Sequence, residues 1–301
     1  LEIDYCGVKF RNPIVTASGT FGFGYEYNEY VPLEEYGGFA AKGLTRTERA
    51  GNPAPRIAET PSGILNSVGL QNPGVEVFAK YIMPELKNSF DTNVIANISG
   101  NTIEEYAEMA DILSDTDVAI IEMNISCPNV KHGGLAFGTN ASVVEKLTAE
   151  VKKNCKKPLV VKLSPNVTDI TEIAKAAEAG GADGVSLINT LLGMKIDINT
   201  RRPILANNMG GLSGPAVKPV AIRMVHQVYN AVNIPIIGMG GVMSGADVIE
   251  FMLAGAKLVA LGTGMFAKPD LILDVKRDIE AYMSRFGIED INDIVGAVQL
   301  N

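Results

Sequence analysis

Residues 118–124 read V-A-I-I-E-M-N, and residues 234–239 read I-P-I-I-G-M. Nearly continuous apolar runs of this kind are typical of strands that are covered on both faces, which indicates a parallel sheet. Similar short, β-rich runs recur along the whole chain. They predict eight strands: Ile14–Ala17, Gly38–Lys42, Asn93–Asn97, Val118–Asn124, Leu159–Leu163, Gly184–Asn189, Ile234–Met239 and Leu258–Gly262.

Segments with helical periodicity separate these strands. The repeated alternation of strand and helix predicts a closed (β/α)8 TIM barrel of the α/β class and disfavours an open, doubly wound sheet. No low-complexity linker or run of like charge divides the chain, so we expect one domain over residues 1–301. The predicted helices include Ile103–Leu113, Ala141–Lys153, Asp169–Ala179, Ala216–Asn230 and Ala246–Ala254.

Two intervals between strands are longer than a helix requires. Leu44–Phe90 follows the second predicted strand, and Thr190–Pro215 follows the sixth. The second interval contains L-G-M-K-I-D-I-N-T-R-R-P-I-L over residues 192–205, whose alternation predicts a small hairpin. Insertions after strands lie on the C-terminal face of a barrel, where barrel enzymes build their active sites.

Composition excludes several classes of protein. A hydrophobic content of 47% with 20% charged residues is that of a globular chain, and the net charge of −8 disfavours a nucleic-acid partner. No apolar run reaches the roughly 18 residues of a membrane span, and the charged first residues do not resemble a signal peptide. Three scattered cysteines, Cys6, Cys127 and Cys155, do not form a disulfide framework or a metal site. We expect a cytoplasmic protein without a bound metal.

The most informative stretch for chemistry is N-I-S-C-P-N, residues 124–129, where the fourth predicted strand ends. Pro128 stops the strand, and the glycine-rich residues 130–138 that follow predict a mobile lid. A cysteine at a strand end beneath a lid serves as nucleophile or base when its thiolate is stabilised. The alternative for Cys127 is a buried core thiol.

Two glycine pairs point to a phosphate site. Gly240 and Gly241 follow the seventh predicted strand, and Gly262-Thr263-Gly264 follows the eighth. Barrel enzymes bind phosphate at these two loops through backbone N–H groups, which glycine allows a ligand to approach closely. Gly214, in G-G-L-S-G-P, is placed to join them. A phosphate site by itself is consistent with an isomerase or aldolase, without redox chemistry, that acts on a phosphorylated substrate.

N-I-S-C-P-N followed by G-G-L-A-F-G resembles the catalytic loop of the class 1 dihydroorotate dehydrogenases. The resemblance extends over essentially the whole chain and keeps the family's order of motifs. These are S-G-T-F-G (18–22), A-K-G-L-T (41–45), N-S-V-G-L-Q-N-P-G (66–74), N-I-S-G (97–100), V-K-L-S-P-N (161–166), L-I-N-T (187–190), G-G-L-S-G (210–214), G-M-G-G-V (238–242) and L-G-T-G (261–264).

The resemblance implies an FMN enzyme, with one FMN per chain, that oxidises (S)-dihydroorotate to orotate in pyrimidine (UMP) biosynthesis. Cys127 would take a proton from C5 of the substrate while hydride leaves C6 for the flavin N5. A flavin-binding subunit without catalytic activity is a further alternative. So is a flavoenzyme that reduces uridine in tRNA, but the acidic charge disfavours it.

The resemblance also assigns site residues. Amide side chains suit the alternating donors and acceptors of a pyrimidine, and a fixed cation at Lys162 would favour the reduced flavin. Considered singly, each asparagine is also consistent with a turn residue, and each lysine with a side chain that extends to solvent at the barrel rim. Lys162 is also consistent with a Schiff-base lysine, as in barrel aldolases. The implied substrate-binding residues are Lys42, Asn66, Ser67, Val68, Gly69, Leu70, Asn124, Asn189 and Thr190. The implied flavin-binding residues are Ser18, Lys42, Gly43, Asn97, Asn124, Lys162, Ile188, Gly214, Gly240, Gly241, Gly262 and Thr263.

The branch of the family follows from two features. A cysteine at position 127 disfavours the membrane-associated class, which uses serine, and K-H-G-G-L-A-F-G resembles the NAD-linked type, class 1B. That type implies a homodimer joined by two electron-transfer subunits that carry FAD and a [2Fe–2S] cluster. Three scattered cysteines cannot ligate such a cluster, so it would lie on another chain. The alternative is a fumarate-linked, stand-alone homodimer, class 1A.

Overall fold

The computed structural model describes residues 1–126 and 137–301. Within them, eight parallel strands are hydrogen-bonded in the order β1-β8-β7-β6-β5-β4-β3-β2. The sheet closes between β1 and β2, where the Gly37 N–H donates to the Ile14 carbonyl over 2.8 Å and the Ala40 N–H donates to Thr16 Oγ1 over 3.2 Å. The strands are β1 Ile14–Thr16, β2 Gly38–Ala40, β3 Asn93–Ile98, β4 Ile120–Asn124, β5 Leu159–Lys162, β6 Gly184–Leu187, β7 Ile236–Met239 and β8 Leu258–Leu261.

Helices cover the outside of this sheet. Every residue of β5 to β8 is buried, as their apolar sequences require when helices lie on one face and the barrel interior on the other. The predicted (β/α)8 TIM barrel is confirmed. The helices are α1 Tyr25–Asn28, α2 Met83–Ser89, α3 Ile103–Ser114, α4 Ala141–Asn154, α5 Ile170–Ala179, α6 Lys218–Tyr229, α7 Gly245–Ala254 and α8 Leu271–Phe286.

Shorter elements complete the described fold. A hairpin of Ile3–Tyr5 and Val8–Phe10 closes the amino-terminal end of the barrel, where the buried Tyr5 hydroxyl donates to the Pro235 carbonyl over 3.1 Å. None of the described helices has the length and apolarity needed to cross a membrane. The other short helices are Val75–Val77, the π-helix Phe78–Ile82, Gly264–Ala267, and the 3₁₀-helices Leu33–Glu35, Phe137–Thr139, Pro215–Val217 and Ile291–Ile294.

The two insertions pair with each other. Four strands form one antiparallel sheet, in the order Leu191–Gly193, Gly210–Ser213, Gly63–Asn66 and Ile57–Thr60. In addition, Ile196–Asp197 pairs with Arg202–Pro203. The predicted hairpin is therefore present as a separate two-stranded sheet, and the four-stranded sheet beside it in sequence was not predicted. Both insertions leave the carboxyl ends of barrel strands, so we call this assembly the insertion sheet and place it at the C-terminal face.

Several barrel strands end earlier than predicted. β2 stops at Ala40 rather than Lys42, and β6 stops at Leu187 rather than Asn189. The backbone beyond each strand is still hydrogen-bonded: the Lys42 N–H donates to the Gly22 carbonyl over 2.8 Å, and the Asn189 N–H donates to the Leu163 carbonyl over 3.1 Å.

Candidate active site

The carboxyl ends of β4 and β6 bring two predicted asparagines together. Asn189 Nδ2 donates to Asn124 Oδ1 over 3.1 Å, across the intervening strand β5. Asn124 Oδ1 also accepts from the Ser126 N–H at 3.1 Å, and Asn189 Oδ1 accepts from the Thr190 N–H at 2.8 Å. Each amide group is therefore held in one orientation, which a site that recognises hydrogen-bonding patterns requires.

Asn166, at the carboxyl side of β5, supports this arrangement. Its Nδ2 donates to the Thr190 carbonyl over 3.0 Å, and its Oδ1 accepts from the Leu192 N–H at 2.9 Å. It thereby fixes the segment after β6 to the barrel. Asn166 lies in the V-K-L-S-P-N motif but is not among the predicted site residues.

The insertion sheet supplies residues 66–70. Asn66 Nδ2 donates to the Gly211 carbonyl over 3.4 Å, and the Ser67 carbonyl accepts from Asn52 Nδ2 at 2.9 Å. Gly69 has a φ of +78°, and a Cβ there would lie 2.5 Å from Asn52 Cγ, so only glycine fits this turn. The segment is therefore tightly determined, although no described contact joins Asn66 directly to Asn124.

Four predicted site residues lie close together where β1, β2 and β3 end: Ser18, Lys42, Gly43 and Asn97. A Cβ on Gly43 would lie 2.8 Å from Asn97 Oδ1, 3.4 Å from Leu70 Cδ2 and 3.7 Å from Ser18 Oγ. Leu70 thus joins the first insertion to this cluster. Burial lowers the pKa of Lys42, and the nearby charge of Arg56 lowers it further.

Lys162 lies inside the barrel rather than at its rim. Its side chain is 6% exposed, and Nζ is 3.8 Å from Oε2 of Glu122, whose side chain is 3% exposed. Glu122 Oε2 also accepts from Asn97 Nδ2 at 2.6 Å, and Oε1 accepts from Ser186 Oγ at 2.7 Å. Neither Glu122 nor Ser186 is among the predicted site residues. The available signal was a single charge within the apolar run V-A-I-I-E-M-N.

Three predicted phosphate-binding loops also converge. Gly214, Gly240 and Gly241 all have positive φ, at +105°, +126° and +79°. A Cβ on Gly241 would lie 2.8 Å from the Gly214 carbonyl, and one on Gly240 would lie 3.3 Å from Ile188 Cγ1. These positions must therefore stay glycine for the backbones to approach so closely.

Thr263 brings the loop after β8 to the same place. Its Oγ1 donates to Ser213 Oγ over 2.7 Å, which links this loop to the strand that precedes Gly214. A Cβ on Gly262 would meet only Ala17, at 3.5 Å, so the space beside this loop is open. The loops after β6, β7 and β8 thus lie close to one another.

Three described polar atoms near these clusters are buried without a hydrogen-bond partner. Among residues 1–126 and 137–301, Asn97 Oδ1, Ser67 Oγ and Ser126 Oγ are of this kind. A buried acceptor without a donor is costly, so such atoms are commonly satisfied by a ligand or by water. Asn97 Oδ1 is therefore an acceptor available to an N–H group of a bound molecule.

Cys127 and the lid residues up to Ala136 lie outside the described residues. The other two cysteines differ from a reactive thiol. Burial raises the pKa of Cys6 to about 12 and also raises that of Cys155, so neither forms a thiolate readily at neutral pH. Tyr106 donates its hydroxyl to the Asn124 carbonyl over 2.7 Å, three residues before Cys127.

Comparison with known proteins agrees with this architecture. A profile of the family described as "Dihydroorotate dehydrogenase" matches residues 1–283. A protein of Alkaliphilus metalliredigens named "Dihydroorotate dehydrogenase B (NAD(+)), catalytic subunit" is 57% identical over 298 residues, which are 99% of this chain and 98% of that protein. Proteins of the same name from Alkaliphilus oremlandii and Phocaeicola vulgatus are 58% and 52% identical, over 98% and 100% of this chain and 98% and 99% of those proteins. The chain belongs to the dihydroorotate dehydrogenase family.

Proposed function

We propose that this chain is the catalytic subunit of an NAD-linked dihydroorotate dehydrogenase. It oxidises (S)-dihydroorotate to orotate in pyrimidine (UMP) biosynthesis and uses FMN as the hydride acceptor. The observation that carries the proposal is the full-length identity of 52–58% to relatives that bear this name. The oriented Asn124–Asn189 pair and the buried Lys162 support it.

The substrate would lie among the polar residues of the barrel mouth. Dihydroorotate presents alternating ring N–H and C=O groups, which the fixed amides of Asn124 and Asn189 match in kind. Lys42 supplies a cation for the substrate carboxylate, and Thr190 stands next to the amide pair. From the insertion sheet we assign Asn66, Ser67, Val68, Gly69 and Leu70 to the wall that covers the substrate.

The described residues fit a flavin mononucleotide. Asn97 Oδ1, a buried acceptor without a partner, matches the single imide N–H of an isoalloxazine ring. Lys42 and Lys162 suit its carbonyl oxygens, and the glycine loops suit its phosphate. On this basis we assign flavin binding to Ser18, Lys42, Gly43, Asn97, Asn124, Lys162, Ile188, Gly214, Gly240, Gly241, Gly262 and Thr263.

The flavin, when bound, supplies a two-electron acceptor for the hydride from C6 of the substrate. The chain's own residues do the rest. Cys127 takes the proton from C5, which requires its thiolate form. Lys162 holds a positive charge where negative charge develops, and the amides of Asn124 and Asn189 keep the pyrimidine oriented.

A partner subunit would carry the electrons onward. We propose a homodimer of this chain joined by two cytoplasmic electron-transfer subunits with FAD and a [2Fe–2S] cluster. In the insertion sheet and its hairpin, Leu192 and Ile198 are 60% and 84% exposed, and Met194, Ile196 and Met209 are exposed nearby. Exposed apolar side chains grouped in this way favour protein association. We treat residues 1–301 as one catalytic domain within that assembly.

The electron acceptor tests this proposal. Orotate formation is measured with NAD⁺ or fumarate as oxidant, with the chain alone and with an FAD- and iron–sulfur-containing partner subunit. We expect turnover with NAD⁺ only when the partner is added, and none with fumarate. Efficient fumarate reduction by the chain alone would instead establish a stand-alone enzyme.

A further inference from the structure

Four consecutive barrel strands place polar residues in one buried cluster. Asn97 of β3 and Glu122 of β4 are paired in register, and Lys162 of β5 and Ser186 of β6 are paired likewise. All four are at most 5% exposed. A polar cluster of this kind in a barrel interior is costly unless each group is satisfied, which makes its arrangement informative.

The carboxylate of Glu122 decides how Asn97 is oriented. A carboxylate only accepts hydrogen bonds, so the group that faces Glu122 Oε2 at 2.6 Å must be the amide nitrogen Nδ2. The amide oxygen then necessarily points away, toward Gly43, where it lies 2.8 Å from the position of a Cβ on that residue. It has no hydrogen-bond partner among the described residues.

Glu122 also compensates the charge of Lys162. The ammonium nitrogen is 3.8 Å from Oε2, a separation at which the two charges attract without a direct hydrogen bond. Ser186 donates to the other oxygen over 2.7 Å and so prevents the carboxylate from rotating toward a closer pairing. The N–H donors of Lys162 therefore remain directed elsewhere, although its charge is balanced.

We propose that Glu122 is a positioning residue for the flavin site, which orients the Asn97 amide oxygen and partly neutralises Lys162. This inference rests on the proposed FMN binding. Glu122 itself does not touch the flavin; it sets the acceptor offered by Asn97 and the strength of the positive field from Lys162. The strands supply rigid backbones for both functions, as an oriented site requires.

Two substitutions separate these functions. Glu122→Gln keeps an oxygen for Asn97 and offers its NH₂ group to Ser186 Oγ, which can accept, but it removes the charge. Glu122→Met has a similar volume and removes both the acceptor and the charge. The exposed Glu289 provides a matched control, Glu289→Gln, with the same chemical change on the surface.

The readouts are the FMN dissociation constant, measured by ultrafiltration of the flavin-loaded protein, and the midpoint potential of the bound flavin. Glu122→Gln should keep the dissociation constant close to that of the unsubstituted protein and shift the potential to more positive values, because Lys162 loses its counter-charge. Glu122→Met should shift the potential in the same direction and raise the dissociation constant about tenfold, the usual worth of one oriented hydrogen bond. Glu289→Gln should change neither quantity.

A double-mutant cycle distinguishes positioning from general damage to the barrel. In an Asn97→Ala background, Glu122→Met should add no further loss of FMN affinity, because the residue through which Glu122 acts is gone. An additive loss overturns the proposal, and so does an unchanged potential in Glu122→Gln. If Glu122→Met does not fold, the isosteric Glu122→Gln and its potential still decide.

The outcome is separable from that of the proposed function. If the unsubstituted chain binds no FMN, the proposed function itself is wrong. If the chain binds FMN and the Glu122 variants match it in both affinity and potential, only the role of Glu122 is wrong.

Discussion

Gly211→Ala places one methyl group where the insertion sheet meets the segment after β6. An ideal Cβ on Gly211 would lie 1.9 Å from Thr190 Oγ1 and 2.5 Å from Thr190 Cβ. Rotation of the threonine side chain removes the first contact but leaves the second, because Cβ is fixed to the backbone. The backbone at Thr190 must therefore move for the variant to fold.

The size of the movement follows from these distances. Ordinary carbon–carbon contact begins near 3.4 Å, so Thr190 Cβ must retreat by about 0.9 Å. Asn189 moves with it, since Asn189 Oδ1 accepts from the Thr190 N–H and Asn189 Nδ2 donates to Asn124. A misplacement of about 1 Å at a positioning group costs roughly 10²-fold in rate, and overpacking of one methyl costs about 1–3 kcal/mol of stability.

The assay is kcat/KM for dihydroorotate, with FMN content and thermal unfolding measured on the same preparation. We expect kcat/KM to fall about 10²-fold in a folded protein that retains its flavin. Gly193→Ala is the matched control on the neighbouring strand, because its Cβ would meet mainly the terminal Cδ2 of Leu65, at 3.0 Å, rather than an atom fixed to the backbone. Unchanged activity in folded Gly211→Ala would refute the placement of Thr190 and Asn189 at the substrate.

Three further predictions concern other parts of the site. Gly241→Ala introduces a side chain at a φ of +79° and 2.8 Å from the Gly214 carbonyl, so the purified protein should lose FMN; full flavin content would contradict a phosphate site there. Burial lowers the pKa of Lys42, and the charge of Arg56 lowers it further. Substrate binding by the Lys42 cation should therefore persist below this pKa and be lost as the pH rises through it. Arg56→Gln should raise the pKa and move the alkaline limb of the kcat/KM profile to higher pH, and an unmoved limb would exclude Lys42 as the titrating group. Cys127→Ala should keep FMN and slow its reduction by dihydroorotate by about 10²–10⁴-fold, and reduction at the unsubstituted rate would exclude Cys127 as the base.

The barrel was predictable because its signal is local. Runs such as V-A-I-I-E-M-N indicate both that a strand forms and that both of its faces are buried. The eight predicted strands all correspond to strands of the barrel. Their ends were less predictable. Lys42 and Asn189 follow apolar runs in sequence, yet each lies two residues beyond the end of its strand.

Long-range pairing was not predictable from local patterns. Gly63–Asn66 pairs with Gly210–Ser213, and the four barrel strands β3 to β6 lie between them in sequence. Neither stretch has a strongly alternating pattern, because glycine occupies positions where the backbones or Thr190 come close. The sequence predicted both insertions at the C-terminal face of the barrel, but it did not predict that their strands pair with each other.

Glu122 illustrates a different limit. A charge within an apolar strand is rarely buried without a partner, but the sequence does not say which residue that partner is. The partners come from three neighbouring strands, Asn97, Lys162 and Ser186, and only the barrel register brings them together. The resemblance to a family assigned Asn97 and Lys162 to the flavin but did not show what holds them.

The most direct test of the account is anaerobic addition of dihydroorotate to the flavin-loaded chain. If the residues at the carboxyl ends of the barrel strands hold FMN and the pyrimidine together, the flavin absorbance bleaches and an equal amount of orotate appears without any partner subunit. A bound flavin that stays oxidised in the presence of excess dihydroorotate would contradict the account.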